Sequence, residues 1–306
     1  MGSDDEKMER REKMKALVTG GAGFVGTNLI KRLLKDGHEV VSVDNYSTGK
    51  KESHQEGCLY HDYDLSSQHT LGIYVDHGSY PSWREVEYDV IFHMAALARI
   101  QPSLKNPYKT LFNNFVSTLN ILELARQNNT RFIYAGSSSV HHGLFESPYA
   151  WSKFSGEDLC KLYSNVYNVD TAICRFYNVY GPHQIEDGTY ATLLGIFEKQ
   201  YREGKPLTIV GAGEQRRDFT HIDDIVDGVV KSSKQSFKGE IFELGRGVNF
   251  SINEIADMFG KGYPKEYIEQ RPGEYDVTLC DYTKANQELD WIPTGNIKDY
   301  IENIIG

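Results

Sequence analysis

Short apolar runs alternate with amphipathic stretches along the first half of the chain. Residues 15–20 (KALVTG) form an apolar run that ends in glycine, and in residues 24–37 apolar side chains recur at helical spacing. Further apolar runs occupy 39–45, 88–96, 131–138 and 171–180, and further helical patterns occupy 104–128 and 148–168. This alternation is typical of a parallel sheet built from crossover units. The sequence therefore predicts an α/β fold with a doubly wound parallel sheet.

The pattern becomes less regular after residue 180. Strand and turn signals, a helical stretch, a short strand and a further helix follow at 206–219, 222–233, 241–247 and 251–259. We find no internal repeat and no low-complexity linker. We therefore expect a flexible tail at 1–14, a first domain at 15–177 and a smaller α/β domain at 178–306, with the chain interleaving between the two domains.

Composition and charge exclude several classes of protein. The formal net charge is −10, from 33 basic and 43 acidic residues. This balance disfavours a nucleic-acid partner, because phosphate contacts need a basic face. The four cysteines form no CxxC pair, so neither a metal site nor a disulfide framework is expected. Without a membrane-spanning apolar run or a secretory signal, we expect a cytoplasmic protein.

A glycine-rich loop follows the first predicted strand and opens the first predicted helix. Gly20, Gly23 and Gly26 form a GxxGxxG pattern, which permits a tight turn and a close approach to a pyrophosphate at a helix N-terminus. Asp44 ends the second strand, where a carboxylate can bind both ribose hydroxyls and repel a 2′-phosphate. The alternative for both features is a structural turn. The context favours a Rossmann-like domain that binds NAD rather than NADP.

A tyrosine and a lysine four residues apart begin the helix predicted at 148–168. Tyr149 and Lys153 lie on one helix face, so the ammonium group would favour the phenolate and lower the tyrosine pKa. The serines at 137–139 close the preceding strand at the ligand-binding edge of such sheets. A surface Tyr–Lys pair is the alternative, but the nearby serines favour a proton-transfer site.

Eight motifs in order then resemble the NAD-dependent epimerase/dehydratase family of extended short-chain dehydrogenases. They are GGAGFVG, DNYSTG, HMAA, the SSS strand end, YxxxK, RFYNVYGP, GEQRRDF and RPGE, and the similarity runs from about residue 15 to 300. The resemblance implies bound NAD, a nucleotide-sugar substrate and a hydride that is removed from a sugar carbon and later returned. It implies that Tyr149 is the base, that Lys153 holds the nicotinamide ribose and that Ser138 is the catalytic hydroxyl. Ser137 and Ser139 are close enough for that assignment to shift by one.

The resemblance also implies binding residues along the chain. For the cofactor these are Gly20, Gly23, Phe24, Val25, Gly26, Asp44, Asn45, Ser47, Thr48, Gly49, Asp64, Leu65, Ala95, Ala96, Leu97, Asn113, Tyr149, Lys153 and Tyr177. For the nucleotide sugar they are Ser138, Asn178, Val210, Arg217, Arg271 and Thr278. Among the latter, the two arginines would grip the diphosphate through bidentate guanidinium contacts.

Two departures from the family pattern bear on the reaction. The segment before Tyr149 is shorter than the family usually has, and His141 and His142 replace its aromatic pair; we expect both histidines to be loop or packing residues. Dehydratases and decarboxylases of the family carry an acidic residue two positions after the catalytic hydroxyl, where this chain has Val140. The sequence therefore favours a sugar 4-epimerase.

The expected substrate is UDP-glucose or UDP-N-acetylglucosamine. The position that limits sugar size in family 4-epimerases is Thr278, whose small side chain leaves room for an N-acetyl group. The alternatives are a dehydratase, decarboxylase or reductase of the same family, or a catalytically idle NAD-bound sensor. A homodimer is expected through the helices at 104–128 and 148–168.

Overall fold

The computed structural model describes residues 13–67, 82–141, 143–273 and 275–306. Most of the predicted tail and His142 lie outside the described residues. The strands are β1 Lys15–Thr19, β2 Glu39–Asp44, β3 Cys58–Asp62, β4 Val90–His93, β5 Arg131–Ser137, β6 Thr171–Phe176, β7 Val179–Tyr180, β8 Leu207–Val210, β9 Arg216–Asp218, β10 Thr220–His221, β11 Lys238–Leu244, β12 Asn249–Ser251 and β13 Lys265–Ile268. The α-helices are α1 Phe24–Lys35, α2 Ile100–Lys105, α3 Pro107–Asn128, α4 Pro148–Tyr167, α5 Leu193–Arg202, α6 Ile222–Ser232, α7 Ile252–Met258, α8 Thr283–Leu289 and α9 Ile297–Ile305.

Seven parallel strands form the central sheet, and this confirms the predicted fold class. Their order is β11-β6-β5-β4-β1-β2-β3, so the strand order reverses beside β1. Between β1 and β4 lies the crevice in which doubly wound sheets bind ligands, at the carboxyl ends of the strands. The edge strand β3 was not predicted, because its CLYHD sequence lacks an apolar run.

Helices cover both faces of this sheet. Buried side chains of α1 and α6 form one apolar core with the strands, and buried side chains of α3 and α4 form the other. Burial on both faces explains why the inner strands are almost continuously apolar. Within the described residues, no helix combines the length and the apolar character that crossing a membrane would require.

The helix predicted at 104–128 is two helices. α2 ends at Lys105, and Asn106 then caps α3 by accepting a hydrogen bond of 3.1 Å from the amide of Lys109. Pro107 follows the cap at the first helical position, where it costs no hydrogen bond. The first residues of the short helix α2, Ile100, Gln101 and Pro102, line the cavity described below.

The second half of the chain builds a smaller apolar core and also returns to the central sheet. Tyr180, Leu194, Phe197, Ile209 and Ile255 are among the buried side chains of that smaller core. Strand β11 pairs in parallel with β6 at the edge of the central sheet. The chain thus crosses back over the boundary predicted at residue 177, and the division into two domains stays a prediction.

Candidate active site

One cavity of about 640 Å³ lies at the carboxyl ends of the central strands. Its walls come from the loops after β1, β2, β4 and β5 and from the smaller core of the second half. The lining combines apolar and polar side chains, and a cavity at this edge is the usual place of a cofactor and substrate site in such sheets. Nearly all residues predicted for the site border it, although they are spread over most of the sequence.

The glycine loop is built so tightly that side chains are excluded. A Cβ atom at Gly26 would lie 2.2 Å from the carbonyl oxygen of Gly20, and one at Gly20 would lie 2.8 Å from the backbone of Ala95. Gly20 also has a φ of 69°, in the left-handed region that favours glycine. Gly23 is the N-cap of α1, so the amides of the first helical turn open towards the cavity. This cradle fits a pyrophosphate.

Asp44 lies at the end of β2 and its side chain borders the cavity. Its two carboxylate oxygens accept hydrogen bonds from the amides of Ala22, at 2.9 Å, and of Tyr46, at 2.8 Å. Burial raises the pKa of Asp44, while these two amides lower it. The carboxylate is therefore held rigidly beside the glycine loop, where the sequence predicted a ribose contact, and the pair of features fits a dinucleotide such as NAD.

The remaining predicted cofactor residues divide into those that border the cavity and those that do not. Bordering it are Phe24, Val25, Asn45, Ser47, Thr48, Asp64, Leu65, Ala95, Ala96, Leu97 and Asn113. Gly49 instead packs against Ala22, whose carbonyl carbon would lie 2.8 Å from an added Cβ atom. The loop at Leu97 is fixed by Asn114, which the sequence analysis did not select: its Oδ1 accepts from the Leu97 amide at 2.8 Å.

Tyr177 does not border the cavity, contrary to the prediction. Its side chain is buried against Gly245, where an added Cβ atom would lie 3.0 Å from the tyrosine Cγ. The neighbouring residue Phe176 lines the cavity instead. Successive side chains at the end of a strand point in opposite directions, so only one of the two can face the ligand.

Tyr149 reaches the cavity from the first turn of α4. Ser147 caps this helix by accepting from the amide of Ala150 at 3.3 Å, and Pro148 occupies the first helical position, as predicted from the sequence. Ser137 and Ser138 line the same part of the cavity. The hydroxyl of Ser137 interacts with the phenol of Tyr149 and itself accepts two hydrogen bonds from Ser139, at 2.9 and 3.2 Å. Its own proton is therefore available to the phenol oxygen.

The environment of Tyr149 differs from the expected one. Burial raises the pKa of Tyr149, and the Ser137 hydroxyl and the positive charge of Arg99 oppose this rise. From the sequence we expected a lowered pKa of Tyr149, with Lys153 as the responsible cation. That expectation was wrong for this structure, because desolvation outweighs both favourable contacts.

Lys153 is buried below the cavity and does not line it. Its ammonium nitrogen lies 4.4 Å from the ring centroid of Tyr134, in a cation–π contact. Burial lowers the pKa of Lys153 to about 8, although the charge of Glu157 opposes this shift. The lysine thus sits one helical turn beneath Tyr149 with its charge directed into the sheet.

Residues from the second half of the chain close the other end of the cavity. The Asn178 amide nitrogen donates to the Asp218 carbonyl at 2.9 Å and to the Thr278 hydroxyl at 3.3 Å. Thr278 is buried, and its hydroxyl also accepts from the amide of Asp218 at 3.1 Å. Val210, Arg217 and Arg271 border the same end. Of the six residues predicted to bind the nucleotide sugar, all except Ser138 therefore lie at this end of the cavity.

Arg99 is a cavity residue that the sequence analysis missed. It follows the cofactor loop directly and is half-buried at the cavity wall. The sequence signal that could have identified it is a positively charged residue directly after the apolar segment AALA at 95–98. Its position brings a third arginine to the cavity beside Arg217 and Arg271.

His141 lies outside the cavity in a network of charged side chains. Its Nε2 lies 2.7 Å from Glu243, which is also 2.9 Å from Arg175; Arg175 in turn pairs with the fully buried Glu157 at 2.6 Å. Although burial alone would raise the pKa of Glu243, the neighbouring His141 and Arg175 lower it. In this position His141 anchors the shortened loop to β6 and β11.

Comparisons with known proteins agree with this geometry. The family model of the NAD-dependent epimerase/dehydratase family matches residues 16–245. The chain is 32% identical to a UDP-glucuronate 4-epimerase of Thermodesulfobacterium geofontis over 94% of each protein. It is 30% identical to UDP-glucuronic acid decarboxylase 2 of Arabidopsis thaliana, over 97% of this chain and 70% of that protein. The solved UDP-glucose 4-epimerase of Thermotoga maritima, with UDP-glucose, has a TM-score of 0.86 at 27% identity, covering 95% of this chain and 97% of that one.

Proposed function

This chain belongs to the NAD-dependent epimerase/dehydratase family, and on that premise we propose that it is a UDP-sugar 4-epimerase. The observation that carries the proposal is the pairing of the half-buried Tyr149 with serine hydroxyls, without a carboxylate of the described residues acting on the tyrosine. Tyr149, Ser137 and Ser138 share one part of the cavity wall. Names of similar proteins, which include 4-epimerases of UDP-glucuronate and UDP-glucose, support both the reaction and the nucleotide.

The same observation disfavours loss of water or carbon dioxide. Neither Val140 nor Ser139, the residues two positions after Ser138 and Ser137, is acidic. Among the described residues that line the cavity, the acids are Asp44 and Asp64, both at strand ends on the cofactor side. General acid–base elimination needs a second titratable group within reach of the reacting carbons. A decarboxylase or dehydratase therefore remains the second candidate, supported by the similarity to a plant decarboxylase.

Each residue of the site has a role in the proposed reaction. NAD, the cofactor of the family, would supply a hydride acceptor and donor at the sugar carbon. Tyr149 takes the proton of the sugar 4-hydroxyl and later returns it, and the serine hydroxyl orients that proton. Arg217 and Arg271 hold the diphosphate, so that the oxidised sugar turns over while its nucleotide stays bound. Asn178 and Thr278 bound the sugar; the small Thr278 leaves room for an N-acetyl group.

Conversion of UDP-N-acetylglucosamine and UDP-glucose, side by side and without added NAD, tests this function. We expect the galacto epimer from at least one of them, with products separated by chromatography. A mass loss of water or carbon dioxide would support the second candidate instead. Because the small side chain of Thr278 leaves room for either sugar, we expect UDP-N-acetylglucosamine to be turned over at least as well as UDP-glucose. A strong preference for UDP-glucose would contradict this role of Thr278.

Tyr149→Phe is the matched variant, because it removes one oxygen and keeps the ring. We expect turnover to fall at least about a thousandfold, since the variant has no proton acceptor at the sugar hydroxyl. NAD content, measured by absorbance after denaturation, is expected to stay at the wild-type level, because the glycine loop and Asp44 are untouched. Unchanged turnover would rule out Tyr149 as the base.

A further inference from the structure

The carboxylate of Asp218 lies buried behind the end of the cavity proposed for the nucleotide sugar. Asp218 ends β9 and is fully buried, whereas its neighbours Arg217 and Phe219 line the cavity. Burial raises the pKa of Asp218, and hydrogen bonds from backbone amides oppose this rise. A buried charge needs such hydrogen bonds to be stable. The groups that donate them therefore show which parts of the chain Asp218 holds.

Three backbone amides from two segments donate to this carboxylate. Its Oδ1 accepts from the amide of Arg246 at 2.8 Å, and its Oδ2 accepts from the amides of Gly247 and Cys280 at 2.8 and 3.0 Å. Arg246 and Gly247 lie in the loop after β11, and Cys280 follows Thr278 by two residues. Both oxygens are thus occupied by N–H donors, an arrangement that suits an ionised carboxylate, which only accepts hydrogen bonds. The side chain thereby joins the loop after β11 to the segment that carries Thr278.

The backbone of Asp218 contacts the two residues that are proposed to bound the sugar. Its amide donates to the Thr278 hydroxyl at 3.1 Å, and its carbonyl accepts from the Asn178 amide nitrogen at 2.9 Å. The side chains of Thr278 and Asn178 are joined by a hydrogen bond of 3.3 Å, and both residues line the cavity. Arg217, the residue before Asp218, lines it as well. The position of this one peptide segment therefore determines where three proposed binding residues lie.

We propose that Asp218 is a positioning residue of the nucleotide-sugar site: its carboxylate fixes the end of β9, which in turn holds Asn178 and Thr278 in place. This role rests on the function proposed above and extends it to a residue that does not itself border the cavity. Asp218 acts through these two side chains and through its neighbour Arg217. A neutral amide at position 218 would direct its own N–H groups against at least one of the three backbone donors, so the arrangement requires an acid.

Asp218→Asn tests this role, because it keeps the shape of the side chain and replaces one accepting oxygen with an NH2 group. We expect the dissociation constant of UDP-glucose, measured by calorimetry, to rise about tenfold to a hundredfold, since misplacing contacting groups by about 1 Å has effects of up to this size. In turnover, KM should rise while the pH profile of kcat and the NAD content stay at wild-type values, because Tyr149 and the glycine loop are untouched. Asp218→Ser, with a single accepting oxygen, should give the same pattern and replaces Asp218→Asn if that variant does not fold.

Asp224→Asn is the matched control. Asp224 is also buried in the second half of the chain, and its carboxylate accepts from the amides of Thr294 and Gly295 at 3.0 and 2.8 Å. Neither Asp224 nor these two partners are among the described residues that line the cavity. We expect this variant to lower the melting temperature as Asp218→Asn does, but to leave the affinity for UDP-glucose unchanged. Equal weakening of UDP-glucose binding in both variants would make Asp218 a purely stabilising residue and overturn the proposal.

Amide hydrogen exchange in the absence of substrate separates this proposal from the proposed function. In Asp218→Asn, exchange should become faster at residues 246–247 and 277–280, the segments that lose a hydrogen-bond acceptor. In Asp224→Asn, faster exchange is expected at 294–295 instead. Unchanged exchange at 277–280 in Asp218→Asn would contradict the positioning role. If wild type binds no UDP-glucose, the proposed function fails, whereas faster exchange at 277–280 still supports Asp218 as the residue that holds this wall of the cavity.

Discussion

Two neighbouring serines, Ser137 and Ser138, border the cavity where the reacting hydroxyl is proposed to bind. The family resemblance assigns the catalytic role to Ser138, whereas the structure brings the Ser137 hydroxyl to the phenol of Tyr149. Both residues border the cavity, and the chain turns into a short 3-10 helix between them. The two assignments are compatible if Ser137 supports the phenolate while Ser138 meets the substrate.

This division predicts different pH behaviour for the two alanine variants. Ser137→Ala removes a hydrogen bond that lowers the pKa of Tyr149, so the alkaline form that acts as the base is reached only at higher pH. We expect its kcat to fall about 10–100-fold at pH 7 and to recover as the pH rises. Ser138→Ala should lower kcat without moving the profile. Full pH–rate profiles of both variants check this, and a shift in Ser138→Ala alone would reverse the assignment.

The position of a site residue could be predicted where a motif fixes both its residue type and its place at the end of one strand or the start of one helix. Gly26, Asp44 and Tyr149 satisfy this condition, and each borders the cavity. Arg99 lies outside the motifs, and Tyr177 lies within RFYNVYGP, which does not fix the direction of its side chain. Whether a side chain beside a motif faces the cavity depends on strand direction and on packing against distant residues such as Gly245. A single sequence carries no such information.

At the scale of elements, the β1–α1 turn leaves no room for an added side chain at Gly26. The Cβ atom of an alanine at position 26 would lie 2.2 Å from the Gly20 oxygen. We expect Gly26→Ala to widen this turn, to lower the NAD content of the purified protein at least tenfold and to lower its melting temperature. Gly262→Ala is the matched control, because an added Cβ there has open space and no strained φ. Equal NAD content in both variants would show that the turn does not form the cofactor site.

The boundaries of most elements follow from local chemistry, and the exceptions have local causes too. Pro148 after Ser147 located the start of α4 correctly. The helical period continued through Asn106, so the break between α2 and α3 was missed, although Asn106-Pro107 is itself a cap signal. β3 at the sheet edge was missed because pairing with β2, not its own sequence, makes it a strand.

At the scale of the whole molecule, the end of the cavity proposed for the nucleotide sugar forms where distant segments of the chain meet. Asn178 and Thr278 are 100 residues apart, and a hydrogen bond of 3.3 Å joins them. Strand β11 returns to the central sheet and holds the second half of the chain in position against the first. The fold class was predictable because the strand–helix alternation is local. The shape of this end of the cavity was not predictable, because it depends on these long-range contacts.

An apolar surface on α3 and α4 argues for a homodimer. Large apolar side chains are exposed on these two helices although they contribute nothing to the core of one chain. They include Phe112, Trp151, Leu162, Val166 and Tyr167, with exposures of 40, 40, 49, 57 and 50%. A further apolar groove between Phe115 and Leu159 runs beside them. A patch of this kind on a surface helix pair marks a protein–protein interface.

We therefore expect a mass near twice the 34.8 kDa of one chain in light scattering coupled to size exclusion. Leu162→Glu places a charge in the centre of the patch and should give monomers, because an unpaired charge is costly in an apolar interface. Leu59→Glu is the matched control: Leu59 is 59% exposed on the edge strand β3, away from α3 and α4. It should leave the dimer intact. If both variants stay dimeric, the association uses another surface; if wild type is a monomer, the exposed patch has a different partner.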